Sequence, residues 1–398
     1  METAGLEAGV YFDHDGNRFA EKMGWVGSDD AILARDLNGN GQIDDGGEMF
    51  GNNAILANGQ KAASGFEALA ELDANGDGVV DQNDEGFSIL KLWRDANGNG
   101  TVEEGELLTL TEAGAASLNV AYSRRNYTDE NGNEHRQGGS FTREDGSTGQ
   151  MADVWLKNEL ADSRYLDKIE VSEAIAALPK LRSYGQVADL WQVMARDEGG
   201  ALQTLLEEFA DSDPQTAKNL VWDIIFAWTG VTELDPGSRG PNIGDARKLY
   251  AMERLWGQDF LSLDGNGVYH REPHAIDSVE LKKAFADWEQ KILSYLLLNN
   301  QYADLYALVV RGSRARQAGA SEAEALSPLL EAFGDLYASG LEADRSRISD
   351  FMATLKVYDS RGLACVEALK SYYIKTKPAD EFSDFDTLIH GGGDDVPM

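Results

Sequence analysis

Two stretches, Asp73 to Asp84 (DANGDGVVDQND) and Asp95 to Glu106 (DANGNGTVEEGE), repeat one register and govern the reading of the first third of the chain. Oxygen-bearing side chains stand at positions 1, 3 and 5: Asp73, Asn75 and Asp77 in one, Asp95, Asn97 and Asn99 in the other. Glycine follows at position 6 (Gly78, Gly100), an apolar residue at 8 (Val80, Val102), an acid at 9 (Asp81, Glu103) and another at 12 (Asp84, Glu106). Alternate residues of a tight turn can aim their oxygens at one centre, and the carbonyls of Val79 and Thr101 at position 7 add to them. A hard divalent cation takes about six to eight such oxygens, and Ca²⁺ tolerates their irregular placement.

The same register appears twice more upstream. Asp36, Asn38, Asn40, Gly41, Gln42, Ile43 and Asp44 follow it through position 9, but position 12 is Gly47, so Glu48 closes the loop only if it is one residue longer. Asp13, Asp15 and Asn17, with Glu21 further on, form a partial copy in which Arg18 occupies the glycine position. A left-handed backbone is costly there for a residue with a side chain. Asp, Asn and Gly also favour ordinary turns, but turns alone do not preserve a shared register of ligands, glycine and an apolar residue. These are EF-hand-like calcium loops, and Ca²⁺ is the cofactor they call for. The apolar position 8 predicts a short β contact between paired loops. Phe66, Leu69 and Leu72 predict a helix entering the Asp73 loop, and Phe87, Leu90 and Trp93 a helical segment leading into the next.

Charge agrees with this. The chain of 398 residues carries a formal net charge of −34, which excludes a phosphate-binding surface for nucleic acid or anionic lipid. Residues 1–110 hold 22 acids against 6 Lys and Arg, concentrated in the loops. Cys365 is the single cysteine, so disulfides within the chain and zinc–thiolate centres are excluded. No apolar run approaches the roughly 18 residues of a membrane span, and no N-terminal secretion signal is visible.

Beyond the loops, Val120, Tyr122 and Tyr127 precede the turn Asp129 to Asn133 (DENGN), with Phe141 after it, which predicts a β-hairpin. From about Asp153 the helical period dominates. Leu281, Phe285, Trp288, Ile292 and Tyr295 share one face, as do Leu249, Met252 and Trp256. Pro214 after Asp213 starts a helix that Gly230 ends, and a last helical set covers about 321–372. The expected fold is therefore mainly α with a small β part. An EF-hand-like domain with a hairpin spans 1–150, an all-helical domain 151–380, and a Gly/Asp-rich tail 381–398.

Other chemistry finds little support. His270 and His274 are four apart, but Pro273 breaks any zinc helix between them, and Arg271 stands where a zinc-peptidase glutamate would be needed. The Asp264 to Gly267 cluster (DGNG) lacks further ligands and reads as a turn. No nucleophile elbow, phosphate loop or dinucleotide fingerprint occurs, and no catalytic residue is assigned.

Taken together, Gly9 to Trp25, Asp36 to Gly51, Gly65 to Asp84 and Leu92 to Glu106 resemble the calcium-binding modules of large bacterial RTX proteins of the haemolysin type. The hairpin Asn131 to Gly146 and the segment Leu178 to Asp197 are similar to that family too. The resemblance implies a secreted protein without a cleaved signal, exported by a type I secretion apparatus toward a host or cell-surface target. The N-terminal part is similar to the self-processing module of iron-regulated RTX proteins, in which calcium triggers cleavage of an Asp-Pro bond just before an Asp-Leu-Asp-Gly-Asp-Gly segment. This chain departs from that pattern, opening after the point where that segment would lie. Its Asp213-Pro214 and Asp235-Pro236 pairs read as structural. The tail Asp386 to Asp395 resembles the onset of RTX repeats, which bind calcium only when several stack.

Overall fold

A computed structural model describes residues 1–358, so Cys365, the end of the last helical set and the Gly/Asp-rich tail lie outside the described residues. The chain divides into two compact units. One comprises residues 1–168 with 182–188 and 254–258, and the other residues 169–181, 189–253 and 259 onward.

The first unit is built of short strands: β1 (Thr3–Ala4), β2 (Val10–Phe12), β3 (Phe19–Met23), β4 (Trp25–Val26), β5 (Ile32–Ala34), β6 (Val79–Asp81), β7 (Lys91–Trp93), β8 (Leu107–Thr109), β9 (Ala115–Asn119), β10 (Ser123–Thr128), β11 (Glu134–Arg143), β12 (Thr148–Trp155) and β13 (Asn158–Tyr165). Its one α-helix longer than a turn is α1 (Gly65–Ala70), capped by Ser64, whose side chain accepts the Glu67 N–H. The expectation of a mainly helical chain with a helix–loop–helix domain is thus overturned. Only the Asp73 loop has the entering helix. The spacing of Phe87, Leu90 and Trp93 belongs to a 3₁₀ turn (Glu85–Ile89) followed by β7, not to an α-helix. Spacing by three is shared by 3₁₀ turns, and Lys91-Leu92-Trp93 pairs on both sides, with Ile32–Ala34 and with Leu107–Thr109.

Among the described residues, no β pairing joins the position-8 residues of neighbouring loops as predicted. Val80 pairs with Leu118 of β9, while Ile43 and Val102 turn into an aromatic core. The hairpin is present: β10 and β11 pair antiparallel across the Asp129–Asn133 turn, and β11 continues alongside β12 and β9.

Two apolar clusters sit beneath the loops. One gathers Phe12, Met23, Trp25, Ile43, Trp93 and Val102, and the other Leu69, Val80, Leu90, Leu110 and Leu118. In the first, Trp25 meets Trp93 edge-on with ring centres 5.4 Å apart, and Phe12 lies 5.4 Å from Trp25. Such pairs each add about 0.5–1.5 kcal/mol to the area they bury.

The second unit holds α2 (Glu173–Ala176), α3 (Leu190–Arg196), α4 (Ala201–Asp211), α5 (Pro214–Thr229), α6 (Ala246–Trp256) as far as Glu253, α7 (Ala275–Leu298), α8 (Ala303–Gln317), α9 (Glu322–Ala338) and α10 (Glu342–Tyr358), with a two-stranded ribbon, β14 (Ser262–Leu263) and β15 (Tyr269–His270), before α7. Asp213 caps α5 by accepting from Gln215 and Thr216, with Pro214 in its first turn and Gly230 ending it in a left-handed conformation. Leu281, Phe285 and Ile292 are buried along α7. Within this unit Arg239 and Glu253 form a buried ion pair at 2.8 Å, and the Arg239 guanidinium also reaches the carbonyls of Arg271 and Phe260. No helix among the described residues is long and apolar enough to cross a membrane.

Because Trp93 is fully buried at the centre of the aromatic cluster, Trp93→Ala is expected to cost about 3–5 kcal/mol. Urea denaturation followed by circular dichroism measures this.

Candidate metal centre

The loops at Asp36, Asp73 and Asp95 have the same internal hydrogen bonds. The position-1 carboxylate takes three consecutive backbone N–H groups. Asp95 Oδ1 accepts from Gly98 (2.8 Å) and Asn99 (3.1 Å), and Oδ2 from Gly100 (2.8 Å). Asp73 does the same with Gly76, Asp77 and Gly78, and Asp36 with Gly39, Asn40 and Gly41. Wrapping the chain this tightly around one carboxylate puts positions 4 and 6 in the left-handed region, with φ of 73° and 90° at Gly76 and Gly78. That is why glycine stands there.

The closing acid repeats its own pattern, taking the N–H of position 2 on one oxygen and that of position 9 on the other. Glu106 accepts from Ala96 and Glu103, Asp84 from Ala74 and Asp81, and Glu48 from Leu37 and Asp44. Glu48 therefore closes the Asp36 loop from position 13. The extra residue has a reason. Asp45 and Gly46 bridge to the Asp13 loop, with the Gly46 N–H on the Asp13 carbonyl at 2.9 Å. A side chain at Gly46 would collide with the His14 carbonyl. All three closing carboxylates are buried. The Asp81 N–H, followed by those of Ala74 and Asn75, holds the Asp84 carboxyl below its usual range.

Positions 3, 5 and 9 converge in two of the loops. Asn97 and Asn99 both direct their amide N–H groups at Glu103, at 2.8 and 3.2 Å, and Asn38 and Asn40 direct theirs at Asp44. In all three loops positions 3 and 5 accept loop N–H groups, but in the Asp73 loop Asp81 accepts from Asn83 and not from positions 3 and 5. Among the described residues no three His, Cys, Asp or Glu side chains draw close enough to grip an ion as they stand. Each carboxylate is turned onto N–H donors. The donor set nonetheless suits Ca²⁺: each loop offers side-chain oxygens, with a peptide carbonyl at Gln42, Val79 or Thr101, and no nitrogen or sulfur ligand. The Asn amide groups already lie against the position-9 acids, so a cation there would replace amide hydrogens as the partner of those acids.

The Asp13 loop is a shortened version. Asp13 accepts from Gly16, Asn17 and Arg18 at 2.9, 3.0 and 2.8 Å, so it wraps the chain as the other three do. Arg18 takes the left-handed conformation with φ 72° and is secured by an ion pair to Asp167. Asp15 accepts from Asn17 and lies on the exposed side of the loop. Position 12 is Gly24, and the acid that comes nearest the closing role is Glu21 at position 9. The backbone N–H groups of Glu21 and His14 lie against its carboxyl, the counterparts of the two that Glu106 accepts. Sequence reasoning placed Glu21 in the loop without giving it that role. Burial first, and then the charges of Asp15 and Asp13, push the Glu21 carboxyl up from 4.5 to about 7. Burial also raises Asp13.

The two clusters read as turns are turns, and they share a further residue that the sequence reading passed over. In Asp129-x-Asn131-Gly132-x-x-His135 and Asp264-x-Asn266-Gly267-x-x-His270, the Asp takes the N–H groups two and four residues on with one oxygen and the histidine Nε2 with the other. The Val268 N–H, followed by His270, holds the Asp264 carboxyl down to about 2. The repeated D-x-N-G-x-x-H spacing was visible in the sequence. His274, the other half of the declined zinc pair, sits at the N-terminus of α7.

Residues 1–157, which carry all four loops and the hairpin, match the family model described as SPM domain. Over 234 residues the chain is 38% identical to the iron-regulated protein FrpA of Neisseria meningitidis serogroup C, an alignment covering 59% of this chain and 21% of FrpA. The chain thus spans about a fifth of the length of that relative.

Glu21 sets a pH dependence in calcium-free protein. Its carboxyl stays protonated in the fold between about 4.5 and 7, where the unfolded chain has already lost the proton. The contribution is therefore fully present below 4.5 and is lost as pH rises through 7. In chelator, Tm is expected to fall across that window, and Glu21→Gln to flatten the fall; thermal melts at a series of pH values measure both.

Proposed function

We propose that the first unit is a calcium-binding module and that the chain is part of a secreted RTX-like protein. The observation that carries this is the common arrangement of the Asp36, Asp73 and Asp95 loops. Each has a position-1 carboxylate wrapped by three N–H groups and a buried closing carboxylate that ties position 2 to position 9. A surface acid needs no such enclosure. The similarity to an iron-regulated protein and the match to the SPM family support the same reading, as does the absence of a nucleic-acid-like charge. Within it, export runs through a type I apparatus and the target lies on a host or cell surface.

Bound Ca²⁺ would supply positive charge to the oxygens of Asp36, Asp73, Asp95 and their loop partners, and so oppose the mutual repulsion of residues 1–110. The protein's own part is to hold those oxygens within one wrapped loop, so that only side chains need turn from their N–H donors to a cation. Because the folded loops bind and the unfolded chain does not, the binding free energy adds to stability, by about 2.7 kcal/mol per site at a hundredfold excess over Kd.

Calorimetric titration of the full chain with calcium is expected to show at least three equivalents and a raised Tm. Glu48→Gln, Asp84→Asn and Glu106→Gln are each expected to remove one equivalent. A wild-type chain with no binding heat and an unmoved Tm would end this reading.

A second reading, calcium-triggered self-processing, is favoured by the SPM match. Incubation with calcium followed by denaturing electrophoresis separates the two. Fragments summing to 43.4 kDa would support cleavage, and one intact band would leave binding alone. Asp213 caps α5, and Pro236 accepts the Ala246 N–H through its carbonyl, so both Asp-Pro pairs already have structural employment.

A further inference from the structure

The three complete loops share the bonds of their position-1 and closing carboxylates but differ in what lies beneath them. Among the described residues, Asp36 and Asp73 accept only N–H groups of their own loops. Asp95 also accepts the indole N–H of Trp25, Nε1 to Oδ2 at 2.8 Å, and neither residue is more than 1% exposed. Asp95 is thus a calcium-loop ligand seated in the aromatic core, and the indole holding it is fixed by contacts with Phe12 and Trp93.

Trp25 has a second attachment. Its backbone pairs with Ala4, and that of Val26 with Thr3. β1 is only two residues long and has little to hold it in place by itself. Its other contacts come from the Asp129–Asn133 turn. The Thr3 hydroxyl donates to Asp129 Oδ2 at 2.6 Å, Asn131 Nδ2 donates to the Thr3 carbonyl at 2.8 Å, and Asn133 Nδ2 donates to the Ala4 carbonyl at 3.3 Å. Ala4 also packs against the cluster that contains Trp25. A continuous path therefore runs from the Asp95 carboxylate through the Trp25 indole and backbone to Thr3–Ala4.

We infer that the Asp95 loop, unlike the Asp73 loop, is coupled through Trp25 to the docking of the N-terminal strand. Ordering of the Asp95 and Glu106 ligands and seating of Thr3–Ala4 are one equilibrium, and Trp25 is its positioning residue. The inference rests on the calcium reading above. Its physical basis is that the indole N–H and a cation draw on the same carboxylate. The Asp95 oxygen can keep its bond to Trp25 only while the loop stays wrapped, and Trp25 can stay in register with Ala4 only while its ring is held. Whatever the seating of Thr3–Ala4 contributes to calcium binding at the Asp95 loop, calcium there returns to that seating as the same coupling free energy. The Asp73 loop, attached through α1 and β6 to the other apolar cluster, has no such link.

Amide hydrogen exchange of the full chain, read by mass spectrometry in peptides covering residues 3–4 and 25–26, tests this directly. Calcium is expected to slow exchange there about tenfold in wild type and in Asp84→Asn, and by less than about twofold in Glu106→Gln and Trp25→Phe. The comparison of Asp84→Asn with Glu106→Gln leaves the core untouched, so it stands even if Trp25→Phe folds poorly. Calorimetry on the same samples keeps the two ideas apart. Wild type that binds no calcium overturns the calcium reading and the coupling together. Wild type that binds at three sites, with Trp25→Phe still showing the full slowing or Asp84→Asn losing it as completely as Glu106→Gln, overturns the coupling alone.

Discussion

A carboxylate taken out of water must be given donors, or it will not stay charged where it is. The first unit is organised around that requirement. Asp95 is fully buried and takes four N–H groups, three from its own loop and one from Trp25. Glu106, Glu48 and Asp84 are buried too, each tied to two separate points of its loop. These bonds shape the backbone, demand glycine at the left-handed positions and bring the remaining oxygens near one another. The surrounding strands are short because much of the chain between them is spent on wrapping carboxylates.

The same requirement explains the departures. Where Glu48 stands one residue late, the Asp36 loop keeps its bonds by accommodating Asp45 and Gly46 in a bridge to its neighbour. Where position 12 is Gly24, Glu21 at position 9 is the nearest remaining acid, and its carboxyl is buried and crowded by other acids. The loop at Asp13 therefore has the wrapping of a complete loop with less room for charge.

The wrapped loops could be read because their oxygen-bearing residues, glycines and apolar position are set by local backbone geometry, which depends on residues within a dozen positions. The stripe on α7 and the cap and stop of α5 could be read for the same reason, since helical periodicity is local. The flanks of the loops could not. Phe87, Leu90 and Trp93 fit a helix by spacing, and β7 is a strand because Ile32–Ala34 and Leu107–Thr109 are available to pair with it. Likewise Val80 found Leu118, some forty residues on, in place of a neighbouring loop.

The sequence by itself determined the four carboxylate-wrapping loops, the hairpin turn and the helical faces of the second unit, because each is fixed by contacts within a few residues. Only the tertiary structure decided that, apart from the helix entering the Asp73 loop, strands carry the loops, and that Trp25 lies under Asp95. Strand partners and a donor seventy residues away depend on which distant segments the core brings together, and no local pattern encodes that choice.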